Sequence, residues 1–338
     1  MKTGKLPENI LKLSVLGQLH TRNDQVISGA AVGTDCAFLK SLQDQLNVVC
    51  SAEAELAMET QTSMDGGAGF SMTQLVQIFV NRLAAGGARP VAAFFTLFLP
   101  EETEKEWIRL SMAEAEKVCS QYRTEIAGVQ CRVIKGIRLP AAAVNGYGTA
   151  CMDQKRTAGD AKPFQDIVLS KWAGILGTMI LAARHRDELR EHYRPCLITS
   201  VEKFQDFCSV VKEANIALSR GAGALYAASE GGIFGALWEL AEEAGVGFDI
   251  DLRKIPLRQE TVEICEYLGV NPYELHSEGC LVMTADNGEE LAEALRAEGI
   301  EAVVIGRTTD KKAKIIRNDE EVRYMDRPKQ DEIFRSSL

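Results

Sequence analysis

The sequence predicts an α/β (α+β) fold in two domains, and three observations carry that reading. Apolar runs of strand length, such as Val91 to Leu99 and Ile167 to Leu169, alternate with amphipathic stretches of helix length. The chain has 338 residues, enough for two domains of ordinary size. Between them, Asn145 to Lys162 is rich in glycine and polar residues, with few signs of regular structure. The junction therefore falls there, dividing the chain into 1–150 and 151–338.

Taken in order, Gly4-Lys5-Leu6-Pro7 opens a helix with Ile10, Leu11, Leu13 and Val15 on its apolar side. Val26 to Gly33 is extended, and Cys36 to Leu39 and Leu46 to Cys50 are buried strands. Gly66-Gly67-Ala68-Gly69 leads into a helix over Met72 to Leu83; no Gly-Lys-Thr/Ser follows, so a plain helix entry is favoured over a phosphate loop. Val91 to Leu99 is a strand ended by Pro100, Glu101 to Gln121 a helix, and Val133 to Val144 a strand. In the second half, Ile167 to Lys171 is a strand and Ala173 to Ala183 leads through a helix. Val201 to Ala217 is helical, Asp249 to Leu252 is a strand, and Gln259 to Leu268 is a helix stopped by Gly269. Cys280 to Ala285 and Ala302 to Gly306 are strands around a helix capped by Asn287 and Glu290. Lys314 to Ile316 and Val322 to Met325 flank Asn318-Asp319 as a hairpin.

Composition narrows the function. The chain is 46% hydrophobic and 25% charged, which excludes general disorder. Its net charge of −10 and pI near 5.1 disfavour nucleic acid and anionic membrane as broad partners. No two of the nine cysteines have C-x-x-C spacing, and there are four histidines without ligand spacing, which argues against a zinc site or disulfide framework and for a reducing cytoplasm. No run of about 20 apolar residues spans a membrane.

One stretch organises the second half. Glu230-Gly231-Gly232 runs into an amphipathic helix with Ile233, Leu237, Leu240, Ala241 and Ala244 at helical spacing and Ser229 as N-cap. Free N–H groups at such a start can hold an anion; a tight turn on a core helix is the plainer reading.

Several segments taken together carry a family likeness: Gly4-Lys5-Leu6-Pro7, Gly33-Thr34-Asp35-Cys36-Ala37, Gly87-Ala88-Arg89-Pro90, Asp166 to Lys171, Gly174 to Thr178 and Glu230-Gly231-Gly232. In this order they resemble the AIR-synthase-related superfamily over nearly the full length, with the hydrogenase expression/formation (HypE-type) branch as the nearest match. The resemblance implies two α/β domains, a homodimer whose N-terminal sheets meet in a β-barrel, a C-terminal α/β sandwich, and an ATP–magnesium site near the interface. Relatives use ATP to activate an amide or carboxyl-type oxygen.

Magnesium prefers hard oxygen ligands, so the acidic positions of that pattern matter. Asp35 is kept, and Ala52-Glu53 stands for a Thr-Asp pair, which leaves Asp35 and Glu53 as weak magnesium candidates. An Asn-Asp pair reads Asn81-Arg82, a Gly-His-Thr-Glu segment reads Val129-Gln130-Cys131-Arg132, and an Asp-x-Thr-x-Gly-Gly turn begins at Ala227. The family's Pro-Arg-x-Cys tail is not seen; the sequence ends Phe334-Arg335-Ser336-Ser337-Leu338. Exchanging a carboxylate for Arg82 reverses a term worth on the order of 4 kcal/mol at 4 Å and an effective dielectric near 20, although arginine can grip phosphate itself. Asp35, Asn81, Arg82, Lys171, Glu230, Gly231 and Gly232 are the nucleotide or phosphate candidates. Against these stand plainer roles: a turn for Asp35, solvated side chains for Arg82 and Lys171, and a buried inert thiol for Cys131. Two readings follow, a homodimeric nucleotide- or anion-binding assembly protein with little ATP turnover, and an active ATP-dependent enzyme.

Overall fold

The computed structural model describes residues 7–21, 23–41, 45–58 and 69–337. Most of the Gly66 to Gly69 loop and Gly4 to Leu6 lie outside the described residues. Pro7 precedes the short helix α1 (Glu8–Ile10), which continues as a π-helical turn over Leu11–Val15.

The first half builds one open six-stranded sheet from β1 (Val26–Ser28), β2 (Cys36–Lys40), β3 (Gln45–Glu55), β4 (Arg89–Leu99), β5 (Glu125–Val133) and β6 (Ala141–Cys151), in the order β1-β2-β3-β6-β4-β5. Helices α2 (Met72–Ala85) and α3 (Lys105–Gln121) cover its inner face. Ser71 and Gln74 form a reciprocal capping box that starts α2. The inner face is apolar (Phe38, Val48, Phe95, Leu97, Val144), and α2 meets it with Leu75, Phe79 and Leu83.

Two sequence expectations fail here for one reason, the reading of glycine. Val133 to Val144 is not one strand: β5 ends at Val133, Gly136 turns the chain at φ 88°, and β6 begins after Pro140. Asn145 to Cys151, expected to be irregular, is the second half of β6. Its glycines permit close packing rather than a turn. A Cβ at Gly146 would stand 2.2 Å from the Ala92 carbonyl oxygen and 2.7 Å from Phe79 Cζ.

The second half builds a seven-stranded sheet from β7 (Asp166–Ser170), β8 (Leu225–Ala227), β9 (Gly247–Asp251), β10 (Leu281–Ala285), β11 (Ala302–Thr309), β12 (Lys314–Asn318) and β13 (Glu321–Tyr324), in the order β13-β12-β9-β11-β7-β10-β8. The helices are α4 (Ile175–Arg184), α5 (Arg186–His192), α6 (Pro195–Glu202), α7 (Val211–Ser219), α8 (Gly232–Ala244), α9 (Gln259–Leu268) and α10 (Gly288–Ala297). Strand β7 is buried on both faces. Ile167 and Leu169 pack with α8, while Val168 packs with α7 and α10, so the sheet is sandwiched. The helix expected over Val201 to Ala217 is broken into the end of α6, a 3-10 turn over Lys203–Phe207, and α7. Among the described residues no helix is long and apolar enough to cross a membrane.

The two sheets are joined through Asn81 on α2. It is fully buried, donates to the Cys208 carbonyl at 2.7 Å and to Glu278 at 2.6 Å, and accepts from Gln77 and Val210 N–H at 2.9 Å each.

Candidate functional site

A cleft forms where the Gly33-Thr34-Asp35 turn, the end of α2, the segment Arg156-Thr157-Ala158 and strand β8 meet α8. Gly33 seats that turn. It has φ 79°, and a Cβ there would stand 2.7 Å from the Glu239 carbonyl on α8. The turn brings Asp35 to the mouth, with Arg82, Tyr226, Ala227 and Glu243 around it. The enclosed part measures about 30 Å³, room for about two water molecules, so any larger ligand sits at its open side.

Arg82 fills the middle. Its Nε lies 3.8 Å from Asp35 Oδ2, and Nη1 donates to the Ser51 carbonyl at 2.5 Å. Burial alone would lower its pKa, but Asp35, Glu53, Cys50 and Glu278 raise it, and the net direction is upward. Arg82 is therefore not a solvated helix residue: its side chain is 15% exposed and serves as the counter-charge of its neighbours. Glu53 contributes from an exposed position on β3.

Three protonatable groups lie at or behind this cleft. Burial pushes the Glu243 carboxyl up to about 7, aided by Asp35 and Asp160 and opposed by a Gly159 backbone hydrogen bond and by Lys155. Burial likewise pushes Glu278 up to about 7, against the Asn81 hydrogen bond and the charges of Arg82 and Lys171. Tyr226 donates to Glu239, and burial, Asp35 and Glu239 hold its hydroxyl well above its ordinary pKa. Arg156 is tied to carbonyls, at 2.8 Å each, of Ala222, Asp153 and Lys155. Among the described residues no three His, Cys, Asp or Glu side chains converge as a metal-ion set. Asp35, a carboxylate at the mouth of the cleft, is paired with Arg82.

The structure brings together only part of the sequence-predicted set. Asp35, Arg82 and Ala227 line one cleft. Asn81 lies behind it with all four bonding positions spent inside the protein. Lys171, expected to be solvated or to reach a phosphate, is 5% exposed; it pairs with Glu213 at 2.5 Å and donates to the Phe207 and Ser209 carbonyls. Cys131, expected to be buried, is exposed on the edge strand β5 with Arg132.

The start of α8 faces elsewhere. Its N-cap residue is Gly231, at φ 84°, rather than Ser229, and the Gly231 N–H donates to Asp331 at 2.6 Å. Asp331 also accepts from Ile333 N–H at 2.9 Å and His276 N–H at 3.2 Å. The anion that the Glu230-Gly231-Gly232 stretch predicts is thus a carboxylate of the chain itself. Burial pushes Asp331 up to about 7, opposed by its three backbone bonds and aided by Glu230.

Sequence reasoning missed Glu243, Tyr226, Arg156 and Asp331. The first three carry no local motif. Asp331 had one available signal, the apolar pair Ile333-Phe334 in an otherwise polar tail, where Ile333 is 1% exposed.

Residues 165–318 match a family profile described as AIR synthase related protein, C-terminal domain. A carbamoyl dehydratase HypE of Rhodobacter capsulatus is 31% identical over 244 residues, covering 70% of this chain and 69% of the relative. Among solved structures, a HypE–HypF complex superposes with TM-score 0.71 at 18% identity over 88% of this chain and 94% of that one. A hydrogenase maturation protein HypE in complex with ATP does so with TM-score 0.68, at 18% identity over 89% and 90%. At such identities the structural likeness speaks for the fold alone.

Proposed function

The chain belongs to the AIR-synthase-related superfamily, in its HypE-like branch, and from that premise we propose a cytoplasmic homodimeric assembly protein that binds a nucleotide or small anion weakly and turns over little ATP. The observation that carries this reading is Arg82. Its positive charge stands among Asp35, Glu53 and Glu278, where it offsets the Asp35 carboxylate that a dication would need. Magnesium then loses both its place and its ligands, and phosphoryl transfer loses its main source of charge stabilisation. The ATP complex of a HypE relative supports nucleotide as the ligand class.

The outer face of the six-stranded sheet supports the dimer and its shared barrel. Phe94, Phe98 and Val49 are 48%, 37% and 38% exposed there, an apolar patch of the kind that marks an interface. We assign 1–150 to dimerisation and nucleotide contact and 151–338 to the second domain.

Calorimetry with ATP, with and without magnesium, tests the reading. The parent protein should bind weakly and equally in both, and Arg82→Asp with Ala227→Asp should acquire magnesium dependence. The identity with a carbamoyl dehydratase favours a second reading, an active ATP-dependent enzyme that activates an amide or carboxyl-type oxygen. Robust magnesium-dependent hydrolysis by the parent, abolished by Asp35→Asn, would establish that reading and overturn the first.

A further inference from the structure

We propose that Cys36 and Cys50 form a reversible dithiol–disulfide couple, a modification site seated directly beneath the Arg82 cleft. The two residues face each other in the antiparallel β2–β3 register. Directly opposed residues on such strands have Cα atoms about 4.5–5.5 Å apart, inside the range of roughly 4.4–6.8 Å that a disulfide spans. Both side chains lie on the inner face of the sheet, 7% and 5% exposed. Each also reaches α2: Cys36 Sγ donates to the Arg82 carbonyl at 3.3 Å and Cys50 Sγ to the Phe79 carbonyl at 3.7 Å. The Arg82 carbonyl keeps the Gly86 N–H at 3.0 Å when a thiol proton is lost.

The flanking residues tie this pair to the cleft. Asp35 precedes Cys36 and Ser51 follows Cys50, and these two hold the Arg82 guanidinium. A sulfur–sulfur bond would clamp the strands between the two groups that grip Arg82. Cys36 lines the cleft, so an oxidant entering there meets it first.

The chemistry balances with a peroxide as two-electron oxidant. The Cys36 thiolate attacks a peroxide oxygen, the O–O bond breaks, and one water leaves after proton uptake, giving a sulfenic acid. The Cys50 sulfur then attacks the Cys36 sulfur, the S–O bond breaks, and a second water leaves. Two thiols lose two electrons and two protons, and hydrogen peroxide becomes two waters. The first step is slow at neutral pH. The neighbouring Cys50 thiol, burial and Asp35 push the Cys36 thiol well above its usual range, with Arg82 pulling the other way. The rate therefore rises with pH.

The test uses the full chain with the three exposed thiols removed (Cys131→Ser, Cys151→Ser, Cys196→Ser), which leaves six. Hydrogen peroxide treatment at pH 7 and pH 9 is followed by thiol titration and non-reducing peptide mapping. The expected result is a loss of two thiols, a single linkage between the Cys36 and Cys50 peptides, faster formation at pH 9, and reversal by dithiothreitol. The same mapping on the parent chain should recover that linkage, and Cys50→Ser should abolish it. Recovery of Cys36 and Cys50 as free thiols under conditions that oxidise other cysteines would overturn the proposal, as would a dominant linkage between any other two.

Discussion

Replacing Asp331 with asparagine tests how the fold treats its internal anion. The carboxylate sits at the start of α8, accepts three backbone N–H groups, and is fully enclosed, with a side-chain exposure of 0%. Folding lifts it from an ordinary 3.8 to about 7. Because the folded value is the higher one, the stabilising contribution is complete below about pH 4 and is lost as pH rises through about 7. That gap, at 1.36 kcal/mol per pH unit, amounts to roughly 4 kcal/mol. Asp331→Asn removes the titration. It keeps an oxygen for His276 and Ile333 but puts an amide nitrogen toward the Gly231 N–H, a loss of about 1 kcal/mol at every pH. From pH 5 to pH 8 the variant should therefore gain roughly 3 kcal/mol on the parent. Urea denaturation of both proteins at pH 5, 6, 7 and 8 measures this. A constant difference, or a parent that gains on the variant as pH rises, would refute the reasoning. Either result would mean that three N–H donors and the helix dipole outweigh burial and keep the carboxylate charged.

Other outcomes follow from other positions. Asn81→Ala leaves the Val210 N–H, the Cys208 carbonyl and Glu278 without their partner and should cost about 3 kcal/mol or more, read as a lower urea midpoint; a change under about 0.5 kcal/mol would mean that water replaces it. Gly146→Ala should cost about 3 kcal/mol, because its Cβ meets the Ala92 carbonyl backbone, and unchanged soluble yield and melting temperature would argue against that clash. Phe94→Asp with Phe98→Asp should turn a dimer into a monomer by light scattering at micromolar concentration; a monomeric parent would remove the premise.

Where structure follows from neighbours in sequence, it was legible. Helix α9 ends where Gly269 adopts φ 66°, α10 begins where the Asn287 side chain accepts the Glu290 N–H, and the expected hairpin forms with its turn at Asp319-Glu320, one residue beyond Asn318-Asp319. Each rests on a local rule of capping or turn chemistry. The glycines of β6 were misleading because the same residue type serves both a turn and a close approach, and only the partner strands decide. Of the candidate site, Asp35, Arg82 and Ala227 were legible as departures from or retentions of a pattern. Glu243 and Tyr226 were not. They stand on α8 and β8, reach the cleft only through sheet packing, and look in sequence like an ordinary helical glutamate and a core tyrosine. Lys171 shows the opposite difficulty: a lysine ending a strand reads as solvated, and its buried partner Glu213 comes from a helix 42 positions later.

Helix α8 and its anion are separated by 100 positions. At about 5–20 residues per second of synthesis, Gly231 waits on the order of 5–20 s for Asp331 to emerge. During that interval the nascent chain carries a helix start with no carboxylate across it, and the central strand β7 still lacks β10 and β11. The second sheet therefore closes only after β10 and β11 have followed β7, and Asp331 arrives after both of them. Cellular quality control would meet a half-made protein that is sticky for seconds, and a ribosome pausing before residue 331 would lengthen that exposure.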